Sequence, residues 1–181
     1  LGAIGDGGAV VTGDERLAQR VRSLRQYGWS DRYVALQPGM NSRLDEMQAA
    51  ILRLRLESLE KETRLRCANA RRYLEALDGI GDLALPCVPD GAEAVWHQFV
   101  VRHPRRDALA RHLAERGIGT GILYPLPIHA QPAYSERVLV PPDGLPVAER
   151  SCREVLCLPV HPFLKRGDVG RVVRAIRTFE R

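Results

Sequence analysis

The apolar positions of the chain read as short strands and helices strung around one long helix. Gly7-Gly8-Ala9-Val10-Val11-Thr12 predicts a short strand, turned by Gly13-Asp14. Thr12 and Glu15 have the spacing of a capping box, and a helix should follow from about Asp14 to Gln26, with Leu17, Val21 and Leu24 on one face. Residues 27–42 read as a long loop rich in Gly, Trp, Asp and Pro. Connections of that length without structure of their own are uncommon and often functional. Ser42-Arg43-Leu44-Asp45 resembles a second helix start with Ser42 as cap, and the helical pattern runs to about Leu77, roughly 50 Å if unbroken. Its first part, Leu44 to Leu56, is apolar on nearly every side, which predicts burial on several faces. From Glu57 on it is charged, and the change of environment near Glu57 to Glu60 marks a domain boundary.

Beyond residue 80 the pattern is that of a small α+β unit. A loop from Ala84 to Ala94 leads to a strand from Val95 to Arg102, a helix from Arg105 to Arg116 ended by Gly117, and a strand from Ile118 to Tyr124. The proline-rich loop Pro125–Pro132 comes next. A helix from Leu145 to Val155, a short strand at 156–158 and a last helix from Asp168 to Phe179 complete the unit. Val169, Val172, Val173, Ile176 and Phe179 of that last helix follow the helical spacing.

Composition narrows the class without naming a function. With 181 residues, 45% of them hydrophobic, the chain suits one domain or slightly more and can supply a core. No apolar run reaches the roughly 18 residues of a membrane helix. The first residues have neither the basic start nor the apolar stretch of a signal peptide. The four cysteines are scattered at spacings that fit neither a zinc motif nor a disulfide framework, so a reducing cytoplasm is the expected setting. The net charge of +5 comes from 25 arginines and two lysines, but these alternate with Glu and Asp and form no basic block. That argues for a solvated surface and against nucleic acid.

Three places concentrate chemistry. Gly5-Asp6-Gly7-Gly8 is glycine-rich but lacks phosphate-loop spacing, and reads first as a tight backbone approach entering a strand. Gly39-Met40-Asn41-Ser42-Arg43 places an amide and a guanidinium at a helix start, where either a simple cap or an anion site fits. Tyr124-Pro125-Leu126-Pro127-Ile128-His129-Ala130-Gln131-Pro132 holds a tyrosine and a histidine on a stiffened loop, either a binding site or an ordinary surface loop. His97 sits on a strand pattern and reads as structural; His103, His112 and His161 carry no signal, and no metal-ligand spacing is present.

Taken together, these segments resemble the DegT/DnrJ/EryC1/StrS family of sugar aminotransferases, which use pyridoxal phosphate (PLP). The likeness rests on Leu1 to Thr12, Leu24-Arg25-Gln26-Tyr27-Gly28, and Gly39 through Ala50 with its Asn-Ser-Arg-Leu-Asp-Glu-Met-Gln-Ala-Ala block. It continues through Trp96 to Val101, Tyr124 to Gln131, and Leu158-Pro159-Val160-His161-Pro162. The segments follow the family's order and cover essentially the whole chain.

The resemblance implies an α/β fold, the C-terminal part of a fold-type I PLP-dependent transferase. Residues 1–57 would be the tail of the large domain and 58–181 the α+β small domain. The activity it implies is amination of a nucleotide-linked keto sugar, with glutamate as amino donor, in a homodimer with shared active sites. Asn41 would bind the cofactor phosphate of the neighbouring subunit. Arg43 would approach the phosphate or sugar of the substrate, and Tyr124 and His129 would line the substrate pocket. No catalytic residue is expected within this chain, because the family's Schiff-base lysine lies just before the Leu-Gly-Ala segment and so upstream of Leu1. The chain alone is then expected to be inactive. The alternative is a non-catalytic dimerisation or binding module left by a truncated gene. One position departs from the family: Leu123 stands where many members carry a polar residue before Tyr-Pro.

Overall fold

A computed structural model describes residues 1–181. The chain divides into two compact units, Leu1–Glu60 and Lys61–Arg181.

The first unit begins with residues 7–12, which join no β-ladder; Val10 and Val11 are 64% and 95% exposed. The predicted strand does not form because no other segment of the chain pairs with it. The glycines before it are not crowded either: a Cβ on Gly5 or Gly8 would meet nothing within 4 Å, so the expected tight backbone approach is absent. Helix α1 spans Glu15–Leu24. Its cap is Asp14 and not Thr12: the Asp14 carboxylate accepts the N–H groups of Arg16 and Leu17, while Thr12 Oγ1 accepts the N–H of Asp14. No residue of α1 is fully buried.

The stretch predicted as loop contains a hairpin, β1 (Trp29–Asp31) against β2 (Val34–Ala35). The sequence hides it because the turn places Tyr33, at φ 70°, where a glycine or asparagine would normally signal a tight reversal. The long helix α2 spans Glu46–Leu77, 32 residues or about 48 Å. It starts three residues later than a Ser42 cap would place it. Ser42 does not cap it: its N–H is spent on the Arg25 carbonyl and its own carbonyl accepts Arg25 Nε. Burial on several faces is also not found along Leu44–Leu56, where Met47, Leu54 and Leu56 are 80%, 68% and 57% exposed. No side chain of this unit covers them.

The second unit holds the core. Strand β3 (Phe99–Arg102) pairs antiparallel with β4 (Val155–Leu158), in register Phe99 to Leu158. Single bridges extend this ladder on both sides, Ala84 to Arg102 and Gly121 to Cys157. The expected strand from Val95 begins only at Phe99, because Trp96 at φ 50° leaves the extended region. The expected strand from Ile118 to Tyr124 shrinks to the bridge at Gly121, cut short by Tyr124 at φ 58° and the prolines that follow. Helices α3 (Arg106–Ala114), α4 (Pro146–Glu154) and α5 (Arg166–Phe179) complete the unit. Tyr73 and Leu77 of α2, Phe99, Leu109, Leu113, Leu156 and Ile176 are fully buried together. The Phe99 ring lies 5.1 Å from Tyr73 and 5.3 Å from Trp96.

The chain end is tied into this core. Phe179 meets the rings of His103 and His112 edge-on, and the Arg105 guanidinium lies 4.6 Å over it. Glu180 Oε1 lies 2.7 Å from Nε2 of the fully buried His103, close but poorly aligned for a hydrogen bond.

Candidate functional site

The segment carrying Asn41 and Arg43 is set by backbone bonds. Tyr27 N–H donates to the Met40 carbonyl, Met40 N–H to Leu24, and Ser42 N–H to Arg25, so residues 40–42 run antiparallel to the end of α1 with Asn41 bridged to Gln26. Two glycines make the approach possible. A Cβ on Gly39 would lie 2.2 Å from the Gly28 nitrogen, and one on Gly28, at φ 76°, would lie 1.8 Å from the Gln37 carbonyl oxygen.

Asn41 and Arg43 therefore project from one fixed strip, and both line a hollow of about 1110 Å³. Gly7 and Gly8 of the glycine segment form another wall, and Arg22 and Arg25 of the α1 region a third. Arg22 is 3.7 Å from Glu15 and Arg25 Nε is bonded to Ser42, which leaves Asn41 and Arg43 as the amide and guanidinium donors of a lining that also includes the carboxylates of Asp6 and Asp45. Arg43 also borders a second hollow of about 610 Å³ beside the hairpin, with Tyr27, Trp29, Arg32 and Tyr33. Its guanidinium lies 5.7 Å from the Tyr27 ring centroid, and Arg32 lies 5.0 Å from that of Tyr33. This aromatic wall escaped the sequence reading, which saw no hairpin to align its rings.

Tyr124 and His129 lie in the second unit on the predicted proline-rich loop. Tyr124 is 78% exposed, in the left-handed region. That conformation is costly for a non-glycine residue and tends to collect at functional sites. His129, in a short 3-10 turn over Ile128–Ala130, is largely covered, and its Nε2 lies 3.2 Å from Glu149 Oε1 of α4. Glu149 was not anticipated, since nothing in local spacing links residues twenty apart on different elements. His97 is exposed, contrary to its reading as a structural histidine. The structural histidine is His103, which carried no signal.

The fold defines the class. Superposed on Streptomyces venezuelae DesV, solved in complex with a ketimine intermediate, the chain gives a TM-score of 0.94 at 48% identity, covering 99% of this chain and 48% of that one. Against a DegT/DnrJ/EryC1/StrS aminotransferase from Brucella abortus the TM-score is 0.92 at 39% identity, covering 99% and 48%. The architecture is the C-terminal part of an aminotransferase, mixed helix and sheet. A sequence model of the DegT/DnrJ/EryC1/StrS aminotransferase family matches residues 1–177, and the chain belongs to that family. A curated relative, the dTDP-3-amino-3,4,6-trideoxy-alpha-D-glucose transaminase of Streptomyces venezuelae, is 49% identical over 178 residues, 98% of this chain and 46% of the relative. The chain spans about half the length of the curated relatives it matches. No helix is long and apolar enough to cross a membrane.

Proposed function

We propose that the chain serves a PLP-dependent aminotransferase that converts a keto group on a nucleotide-linked sugar to an amine, with glutamate as donor. The observation that carries this reading is the shared hollow of Asn41 and Arg43, in a chain matched over residues 1–177 by a family of aminotransferases. A carboxamide and a guanidinium on a fixed strip suit a phosphate ester, so the donor set fits the cofactor. When bound, PLP supplies the electron sink for moving the amino group. Asn41 would hold its phosphate in the site of a neighbouring subunit of a cytoplasmic homodimer. Arg43 would take the phosphate or sugar of the substrate. Tyr124 and His129 would line the sugar pocket, with Glu149 fixing the direction of the His129 ring.

In this reading residues 1–57 are the tail of the large domain and 58–181 the small domain. The cofactor-anchoring lysine is neither Lys61, which lies in a charged run of α2, nor Lys165, which precedes α5. The chain alone is therefore expected to turn over no keto sugar.

Complementation tests the proposal. A family aminotransferase that keeps its lysine, but has the asparagine equivalent to Asn41 replaced by alanine, is mixed with this chain. Recovered turnover of a nucleotide-linked keto sugar, lost again with Asn41→Ala in this chain, supports the reading. A mixed dimer seen by sedimentation without recovered turnover overturns it.

A further inference from the structure

Charge is divided unevenly along the chain. Residues 1–60 hold 8 basic and 8 acidic side chains, while residues 61–181 hold 19 and 14, so the second unit carries the whole net charge of +5. Helix α5 alone has Arg166, Arg171, Arg174 and Arg177 against Asp168, whose carboxylate is taken up by the Lys165 N–H at 2.9 Å.

Three exposed arginines of this unit line one hollow. Arg116, just past the end of α3, and Arg171 and Arg174 of α5 line a hollow of about 350 Å³ whose remaining wall is Ala175 and Thr178. No carboxylate lines it. Arg116 Nη1 donates to the His112 carbonyl at 3.0 Å, and Arg171 donates to the Arg116 carbonyl. These bonds complement the negative end of α3 and fix two guanidinium groups in place. The nearest acid, Glu115, is 3.9 Å from Arg116 Nη1 and mostly in solvent. Arg174 has no bonded partner for its guanidinium, although it stands beside two like charges. Such a group is stabilised by an oxyanion that accepts from its planar fork, and the neighbouring forks add further donors. The volume lies at the small end of ligand clefts, the size of a phosphate or diphosphate group and not of a whole nucleotide sugar.

We propose that Arg116, Arg171 and Arg174 form a binding site for a small polyvalent oxyanion, a phosphate or diphosphate group. None of the three belongs to the site of the proposed transamination, and the inference stands independently of it. The ligand chemistry has two sources, free inorganic phosphates and the terminal phosphates of a nucleotide.

Calorimetric titration of the chain with pyrophosphate, and separately with a nucleoside diphosphate, tests the site. Arg174→Gln is the informative variant because its guanidinium holds no helix carbonyl, so a thermal melt should match the unsubstituted chain. Saturable binding that Arg174→Gln weakens about tenfold, and that added salt weakens further, supports the site. Equal affinity for the two ligands assigns it to free phosphates, and tighter binding of the nucleoside diphosphate assigns it to a nucleotide. Absence of saturable binding, or binding that Arg174→Gln leaves unchanged, overturns it. Binding lost only in Arg43→Ala places the anion in the other hollow and also overturns it. If Arg171→Gln lowers the melting temperature while pyrophosphate affinity is unchanged, the arginines serve only to cap α3.

Discussion

The two units of the chain handle apolar residues in opposite ways. In residues 1–60 only Gly28 is buried, and Val11, Leu36, Met40, Met47 and Leu54 all face solvent. In residues 61–181 seventeen hydrophobic side chains pack into one cluster, nine-tenths or more covered. Both halves have ample apolar sequence, so composition does not make the difference. What differs is whether the partners of each apolar face lie within the same chain. Within residues 99–179 two strands and the helices α3 and α5 pack with the second half of α2, whereas the first half of α2 and residues 7–12 are covered only in part by their own unit. Exposed apolar surface of this kind favours association.

The largest effect expected from this contrast is association. The chain should sediment as oligomers or aggregate at micromolar concentration, and Val11→Glu with Leu36→Glu should shift the population towards monomer. A clean monomer of the unsubstituted chain would contradict the contrast. The next effect is on stability. Leu109→Ala, at a site with no exposure, should cost about 2–5 kcal/mol in urea unfolding. Leu54→Ala, at 68% exposure, should stay within about 0.5 kcal/mol. Equal costs for the two would show that the first unit contains a core after all.

A smaller effect is expected where the chain end is locked. His103 Nδ1 accepts the Arg105 N–H, so its proton sits on Nε2, facing Glu180. The other Glu180 oxygen accepts the Asp82 N–H, beside Gly81, where a Cβ would lie 1.8 Å from that oxygen. Glu180→Ala leaves the buried Nε2–H facing no oxygen and frees the Asp82 N–H. The expected cost is about 1–3 kcal/mol, read by urea unfolding, with faster hydrogen exchange at the α5 end. No loss of stability would mean that the close approach of His103 and Glu180 contributes nothing.

The same contrast explains how much was legible. Helices α3 and α5 follow from periodicity, and Gly117 ends α3 at φ 67°, because in the second unit the apolar stripes of these two helices meet the core. The segments 7–12 and 44–56 are legible as apolar, but the first forms no strand and the second is not covered on several faces within this unit. A strand needs a ladder and an apolar face needs a cover, and neither comes from this unit. The hairpin was missed because its turn residue is Tyr33 and its strands are three and two residues long. In the candidate site, Asn41 and Arg43 were visible as neighbours in sequence, and the structure places them on one hollow. Glu149 was invisible because the loop and α4 meet only in three dimensions. So were the aromatic wall and the convergence of Arg116 with Arg171 and Arg174.

The smallest effect tests the core from inside. Tyr73 is fully buried beside Phe99, and its hydroxyl has no hydrogen-bond partner. An unpaired buried hydroxyl is destabilising, so Tyr73→Phe should stabilise the second unit by about 1 kcal/mol at neutral pH. Burial, and then the charge of Asp168, push the phenol well above its ordinary value near 10. Above that pH the unfolded chain releases a proton that the native chain keeps. The native state then binds more protons, and stability falls as pH rises. Tyr73→Phe removes this dependence, so its advantage over the unsubstituted chain should widen between neutral pH and about pH 10.5, as measured by urea unfolding at both. If the advantage stayed constant over that range, the phenol would be titrating in the native state as it does in water, and a water-filled gap in the core would have to be found next to it.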